Sequence, residues 1–270
     1  MKTTFGIMLL AATAAAQEAP ADKVTVPFRD PSKPRSLVVN LLHGGITVKG
    51  YEGKEAVIEA RSRDRSRDRR DRDEREASGL RRLQINTTGL SVEEENSVIK
   101  VSASHSSSVD LMIQVPVETS VKLRSVNDGS IVVDGISGEV DVNNVNGAVT
   151  VTNVSGSVIA HALNGTLTVT LHRLTPNKAM SFSTLNGKID VTLPADAKAN
   201  VKMKSDNGDI FTDFDIKIDP SARQPVTEGG KDKGRYKLRF DRAMYGAING
   251  GGPEMQFTTL NGNIYIRQKK

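Results

Sequence analysis

The residues best equipped for chemistry are crowded into one run, Arg61-Ser62-Arg63-Asp64-Arg65-Ser66-Arg67-Asp68-Arg69-Arg70-Asp71-Arg72-Asp73-Glu74-Arg75-Glu76. Guanidinium groups at this density can grip carboxylate or phosphate anions through paired N–H donors. Eight arginines and six acids leave only +2, however, so the run's own carboxylates blunt its pull on a polyanion. It contains no apolar residue and can bury nothing, which predicts a solvated, ion-paired insertion spanning 61–79. Arg63, Arg65, Arg67, Arg69, Arg70 and Arg72 are the candidates for contact with an anionic polymer.

Other chemistries find little material. The four histidines, His43, His105, His161 and His172, have no metal-ligand spacing, and there is no cysteine to assist them. There is no Gly-x-Ser-x-Gly elbow and no phosphate loop, and Ser104-His105-Ser106-Ser107-Ser108 reads as a loop. Asp128, Asp134, Asp141, Asp206 and Asp209 gather at turns, but the Gly-Gly-x-Gly-x-Asp calcium signature is missing. Turn chemistry and edge protection account for these acids. No catalytic, cofactor-binding or metal residue is expected, and the chain reads as non-enzymatic.

The elements that position these residues follow a nine-residue beat. From Gly129 the chain reads GSIVVDGIS, GEVDVNNVN, GAVTVTNVS, GSVIAHALN, and glycine returns at Gly138, Gly147, Gly156 and Gly165. Within each beat apolar residues alternate, as Ile131 with Val133, Val140 with Val142, Val149 with Val151, and Leu167 with Val169. A period of two places them on one face of a strand, with Ser130, Asp141, Thr150 and Thr168 on the other. Asn-Gly and Ser-Gly punctuate the strands, because Gly and Asn tolerate the positive φ of a sharp corner. Ile136, Val145, Val154 and Leu163 are expected to plug the corners from inside.

Corners alternate: Val-Asn-Gly and Leu-Asn-Gly end at Gly147 and Gly165, whereas Ile-Ser and Val-Ser precede Gly138 and Gly156. The stricter repeat is therefore eighteen residues, the length of a coil of two short strands and two corners. This predicts an all-β chain, a parallel β-solenoid (β-helix) of nine-residue strand-turn units. The rival is an antiparallel β-sandwich, since Asn-Gly is also a favoured hairpin turn. A longer repeat lies on top: Met180-Ser181-Phe182-Ser183-Thr184-Leu185-Asn186-Gly187 returns as Met255-Gln256-Phe257-Thr258-Thr259-Leu260-Asn261-Gly262.

The N-terminus has Lys2, an apolar run from Phe5 to Ala12 and Ala14-Ala15-Ala16, the layout of a signal peptide over residues 1–16. The run is too short to span a bilayer as a helix. A linker is expected at 17–34 and a single solenoid domain at 35–270, with a second insertion near 215–247. Removing 1–16 takes away Lys2 alone and lowers the net charge from +5 to +4. An exported domain without cysteine suits a bacterial envelope, in the periplasm or at the cell surface. Export puts nucleic acid out of reach, and the mature chain shows no transmembrane segment. Asn86, Asn153 and Asn164 match the glycosylation sequon but read as turn and strand residues.

Ser125-Val126-Asn127-Asp128-Gly129-Ser130-Ile131, Ile136-Ser137-Gly138-Glu139-Val140, Val145-Asn146-Gly147-Ala148-Val149, Leu185-Asn186-Gly187-Lys188-Ile189-Asp190-Val191 and Leu260-Asn261-Gly262-Asn263-Ile264 together resemble the DUF4097 family of adhesin-like bacterial envelope proteins. The likeness covers roughly residues 35–60 and 80–270, and its motifs are turn signals. It implies an exported β-solenoid with no enzymatic residues to carry over, and the Arg/Asp insertion departs from it.

The resulting reading is a non-catalytic, adhesin-like envelope scaffold whose partner is an envelope protein or an anionic polysaccharide. Two alternatives stand beside it. One is a polysaccharide lyase or hydrolase using outward acids such as Asp141 and Asp190. The other is a periplasmic signalling or chaperone-like factor that binds protein by strand addition.

Overall fold

Each nine-residue beat forms one strand, and each glycine-containing junction turns the chain through a corner. The computed structural model describes residues 21–30, 32–63, 88–104, 107–220, 225–228, 237–240 and 243–270. In chain order the strands begin with β1 (Ala21–Pro27), β2 (Ser36–His43), β3 (Ile46–Tyr51), β4 (Glu55–Ser62), β5 (Ser91–Glu95), β6 (Val98–Ser102) and β7 (Val109–Pro116). The regular middle follows as β8 (Ser120–Asn127), β9 (Ile131–Asp134), β10 (Val140–Asn146), β11 (Val149–Val154), β12 (Val158–Asn164), β13 (Leu167–Leu171), β14 (Met180–Asn186) and β15 (Ile189–Leu193). The last third comprises β16 (Ala199–Asn207), β17 (Ile210–Thr212), β18 (Ile216–Ile218), β19 (Pro225–Glu228), β20 (Lys237–Phe240), β21 (Met244–Ile248), β22 (Glu254–Asn261) and β23 (Ile264–Gln268).

Two long sheets face each other. One has eleven strands in the order β18-β21-β16-β22-β14-β12-β10-β8-β2-β6-β5, the other ten in the order β1-β4-β7-β3-β9-β11-β13-β15-β23-β17. One strand from each sheet makes a coil, and coils pair in parallel with their neighbours. Val140 sits opposite Val158 and Val149 opposite Leu167, as the eighteen-residue alternation predicts. The fold is a parallel solenoid, and the sandwich alternative is set aside. Val140, Val142, Val149, Val151, Val158, Leu167 and Val169 all point into one continuous apolar core. Phe182 and Phe257, matched in the long repeat, are stacked on each other in that core with ring centroids 5.2 Å apart.

Coils are not stacked in chain order. The C-terminal coil, β22 with β23, lies between β14–β15 and β16–β17. At the other end β2–β3 lies between β6–β7 and β8–β9. Antiparallel strands then finish the stack. β4 covers β7 and β1 covers β4, β5 pairs with β6, and β21 and β18 close the eleven-stranded sheet beyond β16.

Two boundaries and one face assignment differ from the sequence reading. Residues 21–27, expected in a linker, form β1, because Val24 and Val26 find apolar cover against the core beside Ile58 and Ala56. Arg61 and Ser62, expected in the insertion, end β4 and pair with Asp110 and Val109. Of the four expected corner plugs, Ile136 and Val154 are buried, but Val145 is half-buried and Leu163 is 43% exposed. Strict alternation continues into the Asn-Gly corner, so Asn144 and Ala162 take the inward places and the following residue faces out.

The corner glycines answer a demand other than backbone handedness. Gly147 has φ +153°, but Gly129 and Gly165 do not adopt positive φ. What they share is proximity. A Cβ on Gly129, Gly147, Gly165, Gly187, Gly262 or Gly208 would overlap the carbonyl oxygen of the equivalent glycine one coil away. The column of glycines exists because successive corners touch backbone to backbone.

Two outcomes follow for chemical denaturation. Gly165→Ala has no φ penalty to bear, so a loss of about 1–3 kcal/mol would come from overpacking alone. Val149→Asp should lose about 3 kcal/mol or more by placing an unpaired charge in the core, whereas Thr150→Asp on the wet face should lose under about 1 kcal/mol. Equal losses for the two aspartates would refute the face assignment.

Candidate binding surface

The Asn-Gly corners align along one margin of the solenoid, and their asparagines form a ladder. Asn146 Nδ2 donates to Asn127 Oδ1 (3.0 Å), Asn164 to Asn146 (3.0 Å) and Asn186 to Asn164 (2.8 Å). Asn261 donates to Asn186 (2.7 Å) and Asn207 to Asn261 (2.8 Å). Because the last coil in sequence is inserted, Asn261 precedes Asn207 in the ladder. An amide has two N–H donors and two lone pairs, so each rung keeps capacity for a partner in solvent. His43 occupies the same place one coil before Asn127 and lies 3.5 Å from Asp128.

Beneath the ladder a buried polar column holds the corners at fixed spacing. Ser125, Asn144, Thr184, Thr259 and Ser205 donate to the carbonyls of Gly44, Gly129, Gly165, Gly187 and Gly262 at 2.9–3.2 Å. Each of these carbonyls lies at a corner where a backbone acceptor would otherwise go unpaired. The margin is thus held by polar inward residues at the corners of β8, β10, β14, β22 and β16, but not at that of β12, where Ala162 takes the inward place.

Between ladder and sheet runs a row of outward aliphatics. Val126 and Val145 are half-buried, while Leu163, Leu185 and Leu260 are 43, 39 and 37% exposed. Register pairs their strands in the order β8, β10, β12, β14, β22, so the five side chains stand in line at the strand spacing of about 4.8 Å. The same outer face carries Lys100, Lys122, Arg124, Lys202 and Lys204 interspersed with Glu93, Glu95, Asp141, Asp206 and Glu254. Lys122 is paired with Asp141 at 3.1 Å. The sequence reading missed this row by turning Leu163 inward. The signal was present, since counting by two from Ala160 through Ala162 sets Leu163 outside.

The residues singled out in the sequence are dispersed. Arg63 is engaged, with Nε 2.6 Å from Asp110 Oδ2 and a hydrogen bond to the Asp128 carbonyl oxygen, while Asp110 Oδ1 accepts from Gly45 N at 2.8 Å. Arg65, Arg67, Arg69, Arg70 and Arg72 lie outside the described residues, as do residues 1–16, where a signal peptide is expected. Asp141 and Asp190 fall on opposite sheets, so the paired carboxylates that a glycosidic mechanism requires are not assembled from them. Asp190 is held by Arg267 (2.7 Å) and lies 3.6 Å from Lys188, and its hydrogen bond and charge push the Arg267 guanidinium pKa above its ordinary value.

His161 and Ser183 are neighbours on the outer face and hydrogen-bond through His161 Nδ1. This pair has the composition of a nucleophile and its base, but it stands in mid-sheet. Backbone N–H groups there are spent on the parallel ladders, leaving none to stabilise an oxyanion. Among the described residues no cluster of three or more His, Asp or Glu could hold a metal ion.

A polar corner ladder on a two-sheet parallel solenoid marks a repeat scaffold. The Toastrack DUF4097 family profile matches residues 23–239, and the chain belongs to that family. No curated protein matches it. Among solved structures, it is similar to a proposed cell adhesion protein from Clostridium sporogenes ATCC 15579, with a TM-score of 0.45 at 12% identity over 93% of this chain and 99% of that chain. A proposed adhesin from Bacteroides fragilis NCTC 9343 gives 0.33 at 11% identity, over 93% of this chain and 97% of the other.

Ladder polarity makes a separate prediction. Asn127 only accepts along the ladder, so Asn127→Asp should change stability by less than about 0.5 kcal/mol. Asn164 both donates and accepts, so Asn164→Asp sets a carboxylate against Asn146 Oδ1 and should cost about 1 kcal/mol or more. Urea titration of both variants checks the difference.

Proposed function

We propose that this protein is a non-catalytic, adhesin-like scaffold exported to the bacterial envelope, where it binds an anionic polysaccharide lengthwise. The carrying observation is the aliphatic row of Val126, Val145, Leu163, Leu185 and Leu260 beside the asparagine ladder. A row of this kind suits a polymer that is itself straight and periodic. Apolar C–H faces of successive sugars would lie on the aliphatics, and hydroxyl groups would meet the spare amide donors and acceptors of the rungs. Arg124, two residues before Val126 on β8, offers an exposed guanidinium to the polymer's acid groups. Arg63 is tied to the margin at Asp110 and Asp128, so the Arg-rich run, including Arg65, Arg67, Arg69, Arg70 and Arg72, starts where it would add to that attraction.

Strand addition, the protein-binding alternative, would use the C-terminal end. Phe211 and Ile218 are 48 and 50% exposed there, but β17 and β18 have three residues each and offer few ladder bonds. The N-terminal edge strand β5 carries Glu93 and Glu95 outward, a charged edge that discourages pairing.

The test is calorimetric titration of the mature protein with a polyuronate, with neutral dextran as control. Saturable binding that weakens as salt rises from about 0.05 to 0.5 M supports the reading, as does at least a tenfold loss in the Leu163→Glu/Leu185→Glu double variant. Absence of binding, or binding untouched by the double variant, overturns it. New reducing ends or unsaturated products would replace the binding reading with the lyase or hydrolase. Specific retention of an envelope protein without any polysaccharide binding would replace the ligand class.

A further inference from the structure

At its C-terminal end the outer face of the eleven-stranded sheet is interrupted by a depression. β16 and β21 pair antiparallel with Asn200 opposite Ala247 and Lys202 opposite Tyr245, and β18 sets Lys217 beside Ala247. On the far side of β16, β22 places Glu254 next to Asn200. Ala247 is thus a small side chain ringed by long ones, and the gap above it is a cavity of about 350 Å³. That is the lower end of the range of small-molecule sites. A flat parallel sheet does not make such a hollow. It lies where the capping strands β18 and β21 set Gly246 and Ala247 beside Asn200, Lys202 and Lys217.

The walls have a definite chemistry. The Tyr245 ring stands beside the hollow, with Lys202 Nζ 5.6 Å from its centroid holding it in place. Asn200 is anchored by donating to the Gly252 carbonyl oxygen (2.8 Å), and Asp219 N donates to Tyr245 O (2.8 Å), tying the loop after β18 to the same wall. The ammonium group of Lys217 is balanced by the carboxylate of Glu254, and Lys202 and Asp219, which have contacts of their own, complete the wall. The site is therefore densely polar but has no net charge, and it offers one aromatic wall and an alanine floor.

We infer that this depression is a binding site for a single neutral pyranose unit. A pyranose combines the two surfaces the site presents: C–H groups for the Tyr245 ring and Ala247 methyl, and hydroxyls that both donate to carboxylates and accept from ammonium groups. A strongly anionic ligand would meet Glu254, and an apolar one would leave Lys217 and Glu254 facing it unpaired. The site lies on the same outer face as the aliphatic row but at the opposite end of β16 and β22 from Leu260. Occupied together, the two would let the protein hold the end of one sugar chain and the flank of another.

Saturation-transfer NMR with glucose, galactose and N-acetylglucosamine, and glycine as a zwitterionic control, tests the inference on the mature protein. At least one of the sugars is expected to bind saturably in the millimolar range, with little dependence on salt. Tyr245→Ala should weaken it at least tenfold, and so should Ala247→Leu, which fills the hollow from its floor. Tyr245→Phe should retain binding, and thermal unfolding of the three variants shows that the fold is intact. The Leu163→Glu/Leu185→Glu protein should bind the sugar as the parent does, which separates this site from the polysaccharide surface. No saturable signal with any sugar, equal binding of glycine, or undiminished binding by Ala247→Leu would overturn the inference.

Discussion

At the Asn-Gly corners successive coils touch backbone to backbone, and the other regularities of the molecule descend from that contact. The approach at Gly129, Gly147, Gly165, Gly187, Gly262 and Gly208 is so close that a single methyl group would strike the next carbonyl. It holds the coils at strand spacing, and strand spacing brings like residues into line. The core valines then stack as columns, and Phe182 meets Phe257. The asparagines come within hydrogen-bonding reach of one another, and the inward Ser, Thr and Asn residues can cap the glycine carbonyls. Each of these interactions is modest alone, about 1 kcal/mol for a hydrogen bond. Repetition along a stack turns them into a rigid margin, because each coil is positioned by both of its neighbours.

A solenoid has two ends that would expose core and ladder edges, and this chain deals with them by reordering its coils. The first coil, β2–β3, and the last, β22–β23, are interior to the stack. Chain segments near each terminus are thereby pinned between two coils, while the ends are formed largely by antiparallel strands. These strands differ from the coils in composition. β5 is acidic, β18 is short, and β21 carries Gly246 and Ala247. Edges of this kind are poor templates for further pairing. The departure from regularity also makes the hollow beside Tyr245, which the regular coils lack.

The surfaces available for function follow from the same geometry. A stacked scaffold presents long rows of identical spacing, suited to extended partners, and has few places where side chains from distant segments converge. His161 and Ser183 illustrate the limit: they touch because adjacent coils are in register, but the surrounding backbone donors are already committed to the sheet. Asp141 and Asp190 illustrate the other side of it, since residues one half-coil apart in phase are sent to opposite sheets.

Strands, parallel stacking and most of the core are legible in the chain alone. A period of two assigns faces, and an eighteen-residue alternation of corner chemistry demands pairing one coil apart. Both signals are local and repeated, so the spacing of the corners already sets Val140 against Val158. Other features arise only when distant segments meet. Which coil neighbours which depends on long-range register, and the likeness of Met180–Gly187 to Met255–Gly262 shows equivalence without saying that β16 lies beyond β22. The outward turn of Leu163 depended on alternation persisting into the corner, where Asn144 and Ala162 displaced the larger residue from the interior. The hollow at Ala247 required β16, β18, β21 and β22 to come together. Strand pairing between segments some fifty residues apart is set by which exposed edge remains to be covered, and that competition leaves no periodic trace in the chain.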